Sequence, residues 1–162
     1  MPPLIILAVI AGLPLALSVG LRVKPLYLFV ATVTGYFWVQ FLGDTAVLIV
    51  SSVIHISYPD VVTNIGLLLL PVTLTFVLMR KTLSTSALPF QFILLVADSL
   101  LLTIFLLPLL SPGVQGAIYQ TPVGNVFRQA HDVAIAGVAA LHLVVMFLMR
   151  PKLHGKHSGK RH

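Results

Sequence analysis

All but one of the ten Lys and Arg residues stand at alternate ends of long apolar runs. Arg22 and Lys24 follow the first run, Arg80 and Lys81 follow the third, and Arg150 opens a basic tail after the last. Arg128 is the exception. Cytoplasmic flanks of membrane spans collect Lys and Arg. The pattern therefore predicts an all-α integral membrane protein that crosses the bilayer several times. It also predicts an orientation, with the N-terminus outside and the C-terminus cytoplasmic.

Composition agrees with lipid. The chain is 58% apolar and 9% charged, with a mean hydropathy of +1.05, whereas soluble domains carry about 25% charged residues. Its 162 residues suffice for one helical bundle. Much of the net charge of +6 comes from the tail at 151–162. It reads as topology and attraction to anionic lipids rather than as a nucleic-acid face. With no Cys, disulfides and thiolate metal sites are excluded. With no Glu, carboxylate chemistry can use only Asp44, Asp60, Asp98 or Asp132. A secretory signal places positive charge before its apolar stretch. Here Arg22 and Lys24 come after it, so the first run is expected to be an uncleaved span.

About 20 apolar residues, rising ~1.5 Å each, cross the ~30 Å hydrocarbon core. By that measure five spans are expected, at 4–21, 26–43, 61–79, 88–110 and 126–149. Trp38 with Tyr36, Phe37 and Phe41 marks an outer interface on the second. Residues 45–58 are apolar but too short to cross, which suggests an interfacial or re-entrant piece; a continuous helix bent around Asp44 is the rival. At 111–125, Pro112-Gly113, Gly116, Pro122 and Gly124 read as turn chemistry.

An ionisable group inside a span needs a partner, since it costs at least ~2.5–3.5 kcal/mol on insertion scales. Asp98 lies ~15 Å from the inner edge by helical rise and His142 ~12 Å from the same edge, on antiparallel neighbours. A contact between them is expected, with Gln91 on the face of Asp98 and Tyr36, Thr34 or Gln40 nearby. Two readings stay open: a proton-relay or substrate-coupling site, or an interhelical clasp.

Arg128, His131 and Asp132 form a second cluster at the outer end of the last span. Arg128 and Asp132 are four apart and can pair on one helical face. Ala130, Ala134 and Gly137 form a small-residue stripe beside them. The eleven-residue spacing of His131 and His142, after Phe127-Arg-Gln-Ala, resembles the last spans of membrane b-type cytochromes. That resemblance implies a haem between His131 and a second axial histidine, for which His55 is the one other residue before the tail. The tail histidines His154, His157 and His162 would hold a metal only weakly.

Catalytic patterns are missing: no His-Glu-x-x-His, no Gly-x-Ser-x-Gly elbow and no phosphate-binding loop. The leading expectation is thus a small non-enzymatic accessory, assembly or scaffold component without cofactor or metal. The alternatives are proton-coupled movement of a small solute or ion through Asp98 and His142, and a b-type haem protein. Expected partners are the bilayer, anionic lipids at the tail, and a second copy or another membrane protein, but no nucleic acid. Size and compactness suggest a bacterial inner membrane.

Overall fold

The computed structural model describes residues 3–82, 88–129 and 131–148, without the side chains of 88–90, 131, 132, 146 and 148. Among the described residues every regular element is helical. In order they are α1 (Pro3–Leu21), α2 (Pro25–Val53), α3 (Pro59–Leu78), α4 (Leu88–Leu106) with a 3-10 turn at Leu107–Leu109, α5 (Pro112–Tyr119), α6 (Pro122–Gln129) and α7 (His131–Leu148). Four stretches among the described residues are long and apolar enough to cross a membrane: α1, α2, α3 and Gln91–Leu109. The last helix carries a shorter apolar stretch, Val133–Val145.

Proline sets where these helices start. Pro25, Pro59, Pro112 and Pro122 each occupy the first residue of a helix. There the missing N–H costs nothing and the fixed φ suits the first turn. Two prolines lie inside helices, and each has a hydroxyl four residues on. Ser18 Oγ donates to the Pro14 carbonyl at 2.6 Å, and Thr75 Oγ1 to the Pro71 carbonyl at 2.8 Å. A hydroxyl bonded within its own helix enters lipid without an unmet polar group.

Two expectations need correcting. Residues 45–58 do not form a separate interfacial or re-entrant piece, because α2 runs unbroken to Val53 and only 54–58 are non-helical. The β-branched run weakens helix propensity slightly, but an apolar helix bonds every backbone group internally, and that requirement dominates near lipid. Likewise 111–125 is not merely turns. It holds α5 and the start of α6, with Pro112 and Pro122 starting helices rather than ending them. Thr121 caps α6, its Oγ1 accepting from Gly124 N at 3.0 Å while donating to the Ile118 carbonyl at 2.7 Å.

The packing follows small residues and one polar helix. Antiparallel α2 and α3 touch backbone to backbone at Gly35, where a Cβ would collide with the Leu68 carbonyl. A Cβ at Gly43 would come within 2.8 Å of Asn64 Oδ1. Helix α4 is the most buried of the long apolar stretches and touches α1, α2 and α7. It runs parallel to α2: Tyr36 stacks on Phe105 at 4.2 Å, and the main core joins Leu28 and Ala31 of α2 to Leu101 and Leu102 of α4. At the opposite end from the α1–α2 turn, Leu7, Leu107 and Ile118 close a smaller apolar cluster.

The two basic turns sit side by side. Lys81 N donates to the Leu21 carbonyl at 2.8 Å, and Lys24 N donates to Thr82 Oγ1 at 3.2 Å. Each turn thereby satisfies backbone groups that the neighbouring helix end leaves open. Arg22, Lys24, Arg80 and Lys81 are thus gathered at one end of the bundle.

Candidate functional site

Helix α4 carries four polar residues on an otherwise apolar sequence: Gln91, Asp98, Ser99 and Thr103. Neighbouring side chains on a helix point in different directions, and here that serves two contacts at one level. Ser99 donates to the Ala11 carbonyl of α1. Asp98 turns toward α7, where its Oδ1 lies 3.3 Å from His142 Nε2. Asp98 is 0% exposed and His142 3%.

The histidine is held from two other sides. Its Nδ1 lies 3.0 Å from the Val138 carbonyl, one turn back on its own helix. A carbonyl can only accept, so Nδ1 carries a proton in this contact. The ring stacks on Phe29 of α2, with centroids 4.4 Å apart and planes 19° apart. Three helices therefore fix one imidazole.

That geometry constrains the protons. With Nδ1 protonated, a neutral His142 presents a bare Nε2 to Asp98. An ionised carboxylate facing that bare Nε2 would set two acceptors against each other, so one proton belongs between them. It resides on the carboxyl or on the imidazole, and the pair is neutral overall in both cases. The 3.3 Å contact lies in the ion-pair range but off hydrogen-bond geometry. Both Asp98 oxygens and His142 Nε2 therefore keep unused bonding capacity, as does Gln91 Oε1.

Of the expected surroundings, the structure supplies some and replaces others. Tyr36 is two turns away from the pair, stacked on Phe105. Thr34 Oγ1 donates to the Val30 carbonyl of its own helix, and Gln40 is exposed. The residue that α2 does supply is Phe29, which sequence reasoning missed. Its signal was available: Phe29 precedes Tyr36 by seven residues and shares its helical face. Gln91 is partly buried two turns before Asp98.

In the outer cluster, Arg128 is exposed in the last turn of α6. His131 and Asp132 open α7, but their side chains and residue 130 lie outside the described residues, as does the Arg128–Asp132 pairing. Of the expected span at 126–149, the described residues 126–129 lie in α6 and 131–148 in α7, both helical. His55 is exposed in the 54–58 linker. Both ring nitrogens of His142 already face protein partners. Among the described residues no group of three His or Asp side chains could hold a metal. The tail, with its expected anionic-lipid contact and its histidines, lies outside the described residues.

A recess of about 320 Å³ opens beside the pair, lined by residues such as Leu101, Ile104, Phe127, Ala134 and Val138, and its wall is wholly apolar. Neither Asp98 nor His142 lines it. The recess and the pair also show that α4 and α7 are antiparallel: 101–104 lies level with 134–138, and 98 with 142.

These features define a class, an all-helical membrane-embedded bundle with a buried carboxylate–imidazole contact between two of its helices. No protein-family model, curated protein or solved structure matches the chain.

Proposed function

We propose that this is a small non-enzymatic membrane component, an accessory or assembly factor, in which Asp98 and His142 fasten α7 to the bundle. The proposal includes five crossings, with the N-terminus outside, the C-terminus in the cytoplasm, and a bacterial inner membrane as the setting. Supporting the fifth crossing, α7 runs back along α4, and its 18 residues reach ~27 Å by helical rise. The observation that carries the proposal is the placement of the pair. It lies buried between helices, with the imidazole stacked on a phenylalanine ring and its Nδ1 on a backbone carbonyl. A clasp needs burial and a partner, and the pair has both.

Two measurements test it. In mild detergent the protein should migrate with itself or with a co-purifying membrane protein; a strictly monomeric particle with no companion contradicts the assembly role. The clasp is tested by replacing both members at once, Asp98→Leu with His142→Phe. Swapping a buried polar pair for apolar residues of similar size is often neutral or stabilising. Retention of fold and of the association is expected.

A second reading is favoured by one specific observation, the unused bonding capacity of Asp98 Oδ2 and Gln91 Oε1 on the same helix. Those atoms suit proton-coupled movement of a small solute or ion. On that reading Asp98→Asn abolishes pH-dependent uptake into reconstituted vesicles while the protein still inserts. Unchanged flux in both Asp98→Asn and His142→Ala would end it.

A further inference from the structure

Arg22 and Lys81 are the two non-glycine residues with positive φ among the described residues, at 53° and 63°. That left-handed conformation crowds a Cβ against the backbone and is ordinarily given to glycine. No described glycine in this chain adopts it. At Arg22 it closes a helix-ending motif, with Val23 N donating to the Ser18 carbonyl at 3.1 Å and Arg22 N to the Val19 carbonyl at 3.3 Å. Glycine would serve better in that position. A cation stands there instead, and the same substitution of cation for glycine recurs at Lys81.

The two residues face a common space. Gly20, Leu21, Arg22, Arg80 and Lys81 line a recess of about 430 Å³ between the turns, which the Lys81–Leu21 backbone bond holds together. Lys24 lies on the rim of the same turn pair through its bond to Thr82. No carboxylate side chain stands at this end. Asp44, in the outer part of α2, Asp60, in the first turn of α3, and Asp132, at the start of α7, lie toward the other end, and Asp98 is in mid-bundle with His142. The positive-inside bias accounts for cations in these turns. It is counted over whole short loops, though, and is indifferent to which residue takes the left-handed position.

We propose that this recess binds a phosphate group, supplied by an anionic lipid headgroup of the inner leaflet, with Arg22 and Arg80 presenting their guanidinium forks and Lys81 adding a point charge. An Arg fork matches two phosphate oxygens at once. The recess lies at the ends of the spanning helices, the depth at which headgroup phosphates sit. It also has room for a partly hydrated anion, since one water occupies ~30 Å³. The site does not depend on whether Asp98 and His142 form a clasp or a relay.

The test uses the whole chain in a neutral detergent. Native mass spectrometry follows the binding of dioctanoyl phosphatidylglycerol, with dioctanoyl phosphatidylcholine as the uncharged comparison. The variant is Arg22→Gly with Lys81→Gly, which suits the backbone while removing the charge. Its thermal stability should equal or exceed that of the wild type, and its affinity for the first phosphatidylglycerol should fall about thirtyfold, the effect of two basic residues at an anionic surface. Arg80→Gln should weaken the same binding alone. Neutralising Lys152, Lys156 and Lys160 in the tail should leave it intact. Failure of millimolar inorganic phosphate to displace the lipid supports a headgroup as the ligand; ready displacement keeps the phosphate site and assigns it to the free anion. Undiminished binding in the double-glycine variant, equal binding of phosphatidylcholine, or loss of binding only on tail neutralisation would each overturn the proposal.

Discussion

At the scale of single residues, the Val138 carbonyl decides how Asp98 can be replaced. Because Nδ1 of His142 is committed to that carbonyl, a neutral His142 turns a bare Nε2 toward α4 and needs a donor there. An asparagine can donate an N–H to it; a leucine cannot. Asp98→Leu alone should therefore destabilise the protein by about 1–2 kcal/mol, the cost of a buried unpaired acceptor, and Asp98→Asn by less than half of that. Thermal unfolding in detergent measures both, and equal losses would discard the proton assignment. Gly35 offers a second comparison. A methyl group there meets the Leu68 carbonyl, whereas nothing lies within 4 Å of one added at Gly12. Gly35→Ala should cost about 1–3 kcal/mol by forcing α2 from α3. Gly12→Ala should stay within about 0.5 kcal/mol of wild type.

Among elements, α2 departs most from its expected length. The 29 residues of α2 rise to ~43 Å, well beyond a ~30 Å hydrocarbon core. Its last turns therefore pass the interface unless the helix tilts. The chain has no native thiol, so single cysteines report position directly. A cysteine at Val53, 74% exposed at the far end of α2, should react with an impermeant maleimide added from outside. One at Val30, 54% exposed but about six turns' rise nearer the basic end, by the ~1.5 Å step, should not react. Reaction at both, or at neither, would place α2 differently. The sequence already suggested an apolar tract at 45–58, but length thresholds made it a separate piece. Such thresholds count residues available to one crossing and are blind to a helix that simply continues. The prolines misled for a related reason. Pro112 and Pro122 were read as turn signals, yet the ring that interrupts a helix also suits its first position, and composition alone does not distinguish the two.

For the whole molecule, the five-crossing proposal is tested by reporters fused to each end of the chain. Alkaline phosphatase should be active at the N-terminus, and a fluorescent protein that matures only in the cytoplasm should light up at the C-terminus. Both ends reporting the same compartment would remove a crossing and, with it, the proposed inner location of the tail. The basic turns give a second check. Cross-linking cysteines placed at Gly20 and Arg80, which line one recess, should join α1 to α3.

The sequence by itself settled the environment of this chain and where most of its long helices lie, because hydropathy and Lys/Arg placement respond to the bilayer, a solvent that acts on each segment separately. It also brought Asp98 and His142 to a common depth, since helical rise converts residue number directly into distance along the membrane normal. Rotation about each helix axis and lateral choice of neighbours have no such one-dimensional code. Only the tertiary structure could set Phe29 rather than Tyr36 against the imidazole, choose the helix that continues past Asp44 over a separate piece, and bring two cationic turns, 58 residues apart, to the walls of one recess.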